Sequence, residues 1–438
     1  MFRKENLYIF FLIITSYVII SFLPNFFPTL DIDSQSYIDN SPTRTSLYPL
    51  IIDLFYDEGS KNFYKLIIFQ KIFFIISIFS LILSLKNSYL TVPSLFTFYF
   101  LIFFNIYYVS FCETVLTESL FFSFINFSVS FLLRNKSKAD FCYLGLVLGG
   151  LIAIKSVGIV LATLFFCITF FSIKKKFFLL LTIPTILILP MIEYYSYFFV
   201  NQNDKRQSVL EYSIKGKIFS ISGSDNFDIK KIPERYRNSI SKIALRSKEV
   251  NDFLKEISNP FLYSDLFADY EVYGQYQLKD EFKDIENELK DIFFQLIKDY
   301  PVEYLRISFW HYFGLWSPGG KKIFLKDFIN DNQNLNLPLS SELIMTSGSM
   351  LKMSEVLLKI SLIFFIGLFF IFQIKTIESI FNLIKRRANI FDFFTISCQI
   401  YLIVIALVNI ATPRYLMPIY PLIIFIILFR FEKLKNKN

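Results

Sequence analysis

The residues of this chain that could do chemistry are few, and they stand at the edges of apolar runs. Asp31 and Asp33 lie in LDIDSQSYIDNSPTRTSLYPL, residues 30–50, with Tyr37, Arg44 and Tyr48. Glu113 and Glu118 lie in CETVLTESLFF, residues 112–122. Lys155 interrupts GLIAIKSVGIVL, and Arg414 and Tyr415 follow Pro413 in ATPRYLMPIYPL. A partly buried carboxylate at a membrane surface suits a general base, because burial raises its pKa toward the working range. Arginine suits a phosphate bidentately, and lysine suits it as a point charge. Each residue also has a plain structural use. The aspartates can be solvated turn formers and Glu118 a first-turn acid behind an N-capping Thr117. Lys155 can snorkel from a helix end, and Arg414 can anchor a span edge.

Other chemistry is excluded by what is missing. His311 is the single histidine of 438 residues, so a multi-histidine metal site is ruled out and a Ser-His-Asp triad is almost excluded. No GxGxxG, Walker loop, HExxH or GxSxG occurs. Cys112, Cys142, Cys167 and Cys398 sit in or beside apolar runs without a CxxC pair. They read as buried small hydrophobes rather than a zinc site or a disulfide framework. The formal net charge is +8, but the cations flank apolar runs, so no nucleic-acid partner is expected.

The elements that must position these residues are membrane helices. Charged residues make up 19% of the chain, against about 25% in a soluble domain. Several runs of about twenty residues hold almost no charge, the length a bilayer core demands. The expected fold is an all-α polytopic membrane protein with spans near 6–27, 63–85, 90–111, 114–133, 141–155, 158–173, 177–199, 354–374, 391–410 and 413–430. The stretch 139–173 is too long for one span, and Lys155, Ser156 and Gly158 break it into two short ones meeting at an outer turn. With ten spans and an inside N-terminus, the clusters at Arg3–Lys4, Lys86, Arg134–Lys138, Lys174–Lys176, Lys385–Arg387 and Arg430–Lys437 all fall on the cytoplasmic side. The first span reads as a retained signal anchor, with no small-residue cleavage site after it.

Two regions then project outward, the loop 28–62 and the segment 200–350. The segment mixes helical patterns, Ile240–Ile257 and Leu278–Ile297, with turns such as Ser220–Asp225. Its aromatic stretch Phe309–Trp316 holds Trp310, His311, Tyr312 and Trp316 before Pro318, Gly319 and Gly320, which suits an interfacial helix. The chain divides into an N-terminal transmembrane module (1–199), a mainly helical extracytoplasmic domain (200–350) and a C-terminal transmembrane module (351–438).

In this order, these elements resemble the GT-C glycosyltransferases, in particular the protein-mannosyltransferase and aminoarabinose-transferase type (glycosyltransferase family 39-like). The resembling pieces are DSQSY ahead of RTSLYPL, then TESLFF, GLIAIKSVG and PRYLMPIYPL, with FQLIKDYPVEYLRISFWHYFGLW before the late spans. They cover about half of the chain. The resemblance implies a GT-C-like bundle of about ten helices in the cell inner membrane, both termini cytoplasmic. It implies a sugar moved from a polyprenyl-phosphate donor to a lipid, glycan or protein acceptor at the outer face. Asp33, or else Asp31, would match the acid that deprotonates the acceptor. Glu118 would match a supporting acid, and with Asp33 a ligand of a divalent metal. Lys155, Arg414, Tyr415 and Arg44 would hold the donor phosphate. Tyr37, Tyr48, Glu113, Trp310 and His311 would border the acceptor or the interface. Relatives carry an Asp-Glu pair in the first loop, whereas here Ser34 follows Asp33, which leaves the catalytic carboxylate and the need for a metal open. Two alternatives stand beside this one, a lipid-linked glycan polymerase or ligase and a lipid or solute transporter. A transporter would show paired broken helices near the midplane, but here the charges gather at one face.

Overall fold

The computed structural model describes residues 4–23, 29–31, 33–56, 62–86, 89–134, 137–172, 179–201, 206, 210–254, 264, 267–268, 271, 274–275, 278–318, 349–410 and 412–435. Among them the regular structure is helical, with no strand. The N-terminal part holds α1 (Lys4–Phe22), α2 (Ser34–Ile38), α3 (Leu47–Phe55), α4 (Tyr64–Leu85), α5 (Val92–Phe103), α6 (Ile106–Ser110), α7 (Glu118–Arg134), α8 (Lys138–Ile154), α9 (Gly158–Ser172) and α10 (Leu179–Asn201). A middle group follows: α11 (Leu210–Ser222), α12 (Arg237–Leu254), α13 (Lys279–Asp284), α14 (Leu289–Asp299) and α15 (Pro301–Gly314). The chain closes with α16 (Ser349–Ile384), α17 (Ile390–Val408) and α18 (Tyr420–Lys435).

Local signals set the helix ends. Ser137 and Asp140 form a capping box on α8, and Asn389 and Asp392 form one on α17. Pro93 and Pro301 open α5 and α15, where a missing N–H costs nothing. Five helical stretches are long and apolar enough to cross a membrane: α4, α10, Lys359–Ile384 of α16, α17, and Pro413–Lys435, which contains α18. The pair Val92–Phe103 and Ile106–Glu113, bent by 57°, would make a sixth. The remaining expected spans coincide with α1, α7, α8 and α9. The last three have 17, 17 and 15 residues, about 22–26 Å at 1.5 Å per residue, which falls short of a core of about 30 Å.

Packing inside the bundle uses small and polar residues, because lipid is as apolar as a leucine surface and gives no drive of its own. Gly145 and Gly149, one turn apart, let α8 lie against the Thr182 and Ile186 carbonyls of α10. Serines tie α4 to α7: Ser130 bonds Ser80 at 2.8 Å and Ser84 at 2.6 Å, and Asn126 donates to Ser77 at 3.1 Å. A second, smaller core is built from α11–α15 around Ile218, Phe219, Ile240, Phe282, Leu289 and Leu296. The pattern expected over Leu278–Ile297 is split there, with a 3₁₀ turn at Glu286–Glu288 between α13 and α14.

The stretch expected to form an interfacial helix, Phe309–Trp316, leaves Phe309 exposed on one side. Its inner face is protein: His311 is fully buried, and Trp316 is buried against Phe369 at 5.5 Å and Phe372 at 5.7 Å. Cys112 and Cys398 are buried as expected, whereas Cys167 is exposed.

Candidate functional site

The first loop is folded back over the bundle by its own polar residues. The Val115 N–H donates to the Thr29 carbonyl at 2.8 Å, and Ser34 Oγ donates to the Val115 carbonyl at 2.9 Å. Asp33 directly precedes α2. Farther along, Thr45 Oγ1 donates to the Ile154 carbonyl at 2.7 Å, and the Ser46 N–H donates to Glu193 of α10 at 2.9 Å. The loop is therefore pinned to the end of α8 and to Glu193 within α10.

Two ion-pair systems meet beneath it. Asp33 accepts Arg44 Nη2 on Oδ1 and Arg414 Nη1 on Oδ2, each at 2.7 Å. Glu118, buried at the start of α7, accepts Lys155 Nζ at 2.7 Å and the Thr117 hydroxyl at 3.2 Å. Arg414 Nε lies 4.0 Å from Glu118, which joins the two systems. Tyr37 bridges them from the side, with its hydroxyl 3.3 Å from Thr117 Oγ1 and accepting from Arg44 Nη1 at 3.4 Å. The Arg44 guanidinium also stacks over the Tyr37 ring at 4.6 Å, and Lys155 Nζ lies 5.2 Å from the Tyr415 ring centre.

These positions follow from where helices stop. Lys155 terminates α8 in an extended conformation, and α9 starts three residues later at Gly158. A Cβ on Gly158 would strike the Leu151 carbonyl, so only glycine permits this tight return. Pro413 opens a 3₁₀ turn, Pro413–Tyr415, closed by the Tyr415 N–H on the Thr412 carbonyl at 3.0 Å.

The groups surround a cavity of about 480 Å³ whose walls include Tyr37, Arg44, Glu118, Lys155, Arg414 and Tyr415. That volume lies within the usual range for a small-molecule site, about 300–1,000 Å³. Asp33 sits behind its two guanidiniums. Burial works to raise its pKa, but Arg414 and Arg44 outweigh burial and hold the carboxyl well below the usual range. Arg44 is raised: burial opposes its charge, and Tyr37 and Asp33 more than offset that. Burial raises the Tyr37 phenol.

Several expected site residues lie elsewhere. Asp31 serves the turn, its carboxylate accepting the Asp33 N–H at 3.1 Å, so Asp33 is the first-loop acid that faces the cations. Glu113 pairs with Lys71 of α4 inside the bundle. Tyr48 is buried, donates to Gln70 at 2.6 Å and supports Tyr37 edge-on at 5.3 Å. Trp310 borders a separate cavity of about 50 Å³.

His311 belongs to a second buried cluster. Its Nδ1 lies 2.8 Å from Lys217 Nζ and 3.0 Å from the Asn409 carbonyl, and its Nε2 lies 2.9 Å from Glu271. Ser220 donates to Glu271, and Lys217 donates to the Ala406 carbonyl at 3.0 Å. This cluster grips the end of α17 at Ala406 and Asn409, the latter four residues before Pro413.

Arg206 and Asn409 are among the cavity-wall residues missed from sequence. Arg206 pairs with Glu193 and stacks on Tyr197 at 4.4 Å; beside Lys205 in a segment of balanced charge, it had no distinguishing signal in sequence. Asn409 had no signal beyond its nearness to Pro413. Asp33 and Glu118 are each taken by cations, and no group of three or more His, Cys, Asp or Glu among the described residues could hold a metal ion. Comparison with protein-family models, with curated proteins and with solved structures finds no match for this chain.

Proposed function

We propose that this protein is a membrane glycosyltransferase that moves a sugar from a polyprenyl-phosphate donor to an acceptor hydroxyl or amine at the membrane surface. The observation that carries the reading is the meeting of five charged residues from four separated segments, with Arg44, Glu118, Lys155 and Arg414 on the wall of one cavity and Asp33 directly behind its two arginines.

In the proposed reaction the donor phosphate enters among Arg44, Lys155 and Arg414. Arg414 and Arg44 release part of their hold on Asp33 to bind it, since a guanidinium can serve two anions through separate N–H groups. The acceptor oxygen attacks the anomeric carbon, and the carbon–phosphate-oxygen bond breaks with its electron pair going to the phosphate. Asp33 takes the acceptor proton. The cations stabilise the charge gathering on the phosphate, the term that commonly dominates such sites. Glu118 acts as a positioning residue through Lys155. A phosphate leaves without a protonating acid, so none is required of His311, which stands behind Asn409 and does not line the cavity.

The arrangement of helix ends supports a surface site. The cavity draws on the C-terminal ends of α8 and α17 and the N-terminal ends of α7 and α18, as alternating up-and-down helices require. In this reading α1, α7, α8 and α9 also cross, giving ten spans in a cell inner membrane with both termini cytoplasmic. A cavity of this size suits a one-sugar donor better than a long glycan.

The test is transfer from radiolabelled polyprenyl-phosphate sugars by membranes containing the protein. Asp33→Asn is expected to lower turnover about 10²–10⁴-fold with normal membrane accumulation. Undiminished transfer by that variant would remove Asp33 from the mechanism.

A further inference from the structure

At the other end of the bundle lies a second polar cavity, of about 320 Å³, between the C-terminal part of α16, the N-cap of α17 and the last turns of α18. Helix α17 links the two sites, starting beside this one at Asn389 and ending beside the first at Asn409. Its 19 residues span about 28 Å, close to the thickness of a hydrocarbon core.

The wall carries three cations, Lys375, Arg430 and Lys433, against one carboxylate, Glu378. The neighbouring Asp392 is fully buried and saturated. It accepts Lys375 Nζ at 2.7 Å, Ser379 at 2.9 Å, Asn382 at 3.2 and 3.3 Å, and the Asn389 N–H at 3.0 Å. That bonding makes Asp392 a plate that fixes Lys375 and Asn382 at the cavity wall. Glu378 is half-exposed and engages Arg430 through two guanidinium nitrogens, Nε and Nη2, a fork that suits a two-oxygen anion. Lys433 is exposed and has no ionic partner among the described residues. Lys385, Arg386 and Arg387, exposed in the turn between α16 and α17, add positive potential at the mouth. Beside these cations the surface is apolar. Phe381 and Ile384 are exposed on α16, Leu434 is exposed on α18, and Phe429 lines the cavity.

We propose that this cavity binds a phosphate group, with Arg430 and Lys433 as its direct ligands and Lys375 and Asn382 behind them. The adjoining apolar strip fits the acyl chains of an anionic phospholipid, and a free phosphate ion shares the same headgroup chemistry. The site does not depend on the transfer reaction.

The experiment is native mass spectrometry of the full chain in detergent with phosphatidylglycerol or phosphatidylcholine of matched chains, and calorimetry with inorganic phosphate. Phosphatidylglycerol is expected to be retained over phosphatidylcholine, and Arg430→Gln/Lys433→Gln to weaken that retention about tenfold or more. Glu378→Gln removes the competing carboxylate and is expected to tighten it, a direction that misfolding would not produce. Retention undisturbed by inorganic phosphate identifies a lipid site. Inorganic phosphate binding lost in the double variant identifies a free-phosphate site. Equal retention of both lipids with no phosphate binding, an unaffected double variant, or weaker binding by Glu378→Gln would each overturn the proposal.

Discussion

Lys155 and Glu118 form the most enclosed ion pair of the candidate site, with side chains 14% and 2% exposed. Breaking such a pair from one side strands a buried charge, at a cost of about 3–5 kcal/mol. Lys155→Met should therefore lower thermal stability in detergent more than Lys155→Met/Glu118→Gln, in which no charge is left unmatched. Equal losses in the two variants would mean that the pair is already hydrated. The His311 cluster makes a pH prediction. Burial lowers the His311 pKa from 6.5; Glu271 opposes that and Lys217 reinforces it. Below pH 6.5 the unfolded chain takes up a proton that the native one refuses, so stability should fall as the pH drops from there. Glu271 adds to the fall below 4.5. Burial opposes its charge, but His311, Lys217 and Ser220 keep its pKa low, so its contribution disappears as pH falls through that lowered value. Lys217 works at the alkaline end: burial pushes it down to about 8 from 10.5, so stability should rise between those values. A thermal-shift series across pH checks both limbs, and His311→Gln should flatten the slope just below 6.5 and also weaken the Glu271 limb, while leaving the alkaline limb in place.

Helix contacts explain how these side chains are held. Lys155 hangs from the place where α8 stops, and α8 is placed by its glycine face on α10. A Cβ on Gly149 would meet the Ile186 carbonyl and Pro190, backbone and ring atoms that cannot swing aside. Gly149→Val should thus displace α8, lowering the yield of folded protein in size-exclusion chromatography and moving Lys155 away from Glu118. An unchanged elution profile with full activity would show that the seam yields. Much of this was legible in sequence. The break at Lys155, the spans 63–85, 177–199 and 391–410, and the Pro413 turn all follow from charge and proline interrupting apolar runs. The split between α13 and α14 was not legible, because Phe282, Ile285, Leu289 and Ile292 keep a continuous helical spacing across it.

The membrane topology of the assembled bundle carries its own prediction. If α8 crosses, Ser137→Cys and Ser156→Cys, both exposed, should react with an impermeant thiol reagent from opposite faces of the membrane once Cys167 has been replaced. Labelling of both from one face would reduce the ten spans toward the five or six long helices.

From its residues alone the chain determined that it is helical and suited to a membrane, since runs of apolar side chains near bilayer length with charges between them leave few other folds. It also marked Asp33, Glu118, Lys155 and Arg414 as costly ionisable groups at span edges. Pairing was beyond its reach. That Asp33 rather than Asp31 faces the guanidiniums, that Glu113 turns to Lys71, that His311 joins Lys217 and Glu271, and that Arg206 enters the cavity were decided by tertiary structure. Contacts across 37 to 381 residues depend on which helix ends meet, and apolar helices that look alike on every face do not encode their neighbours in any local pattern.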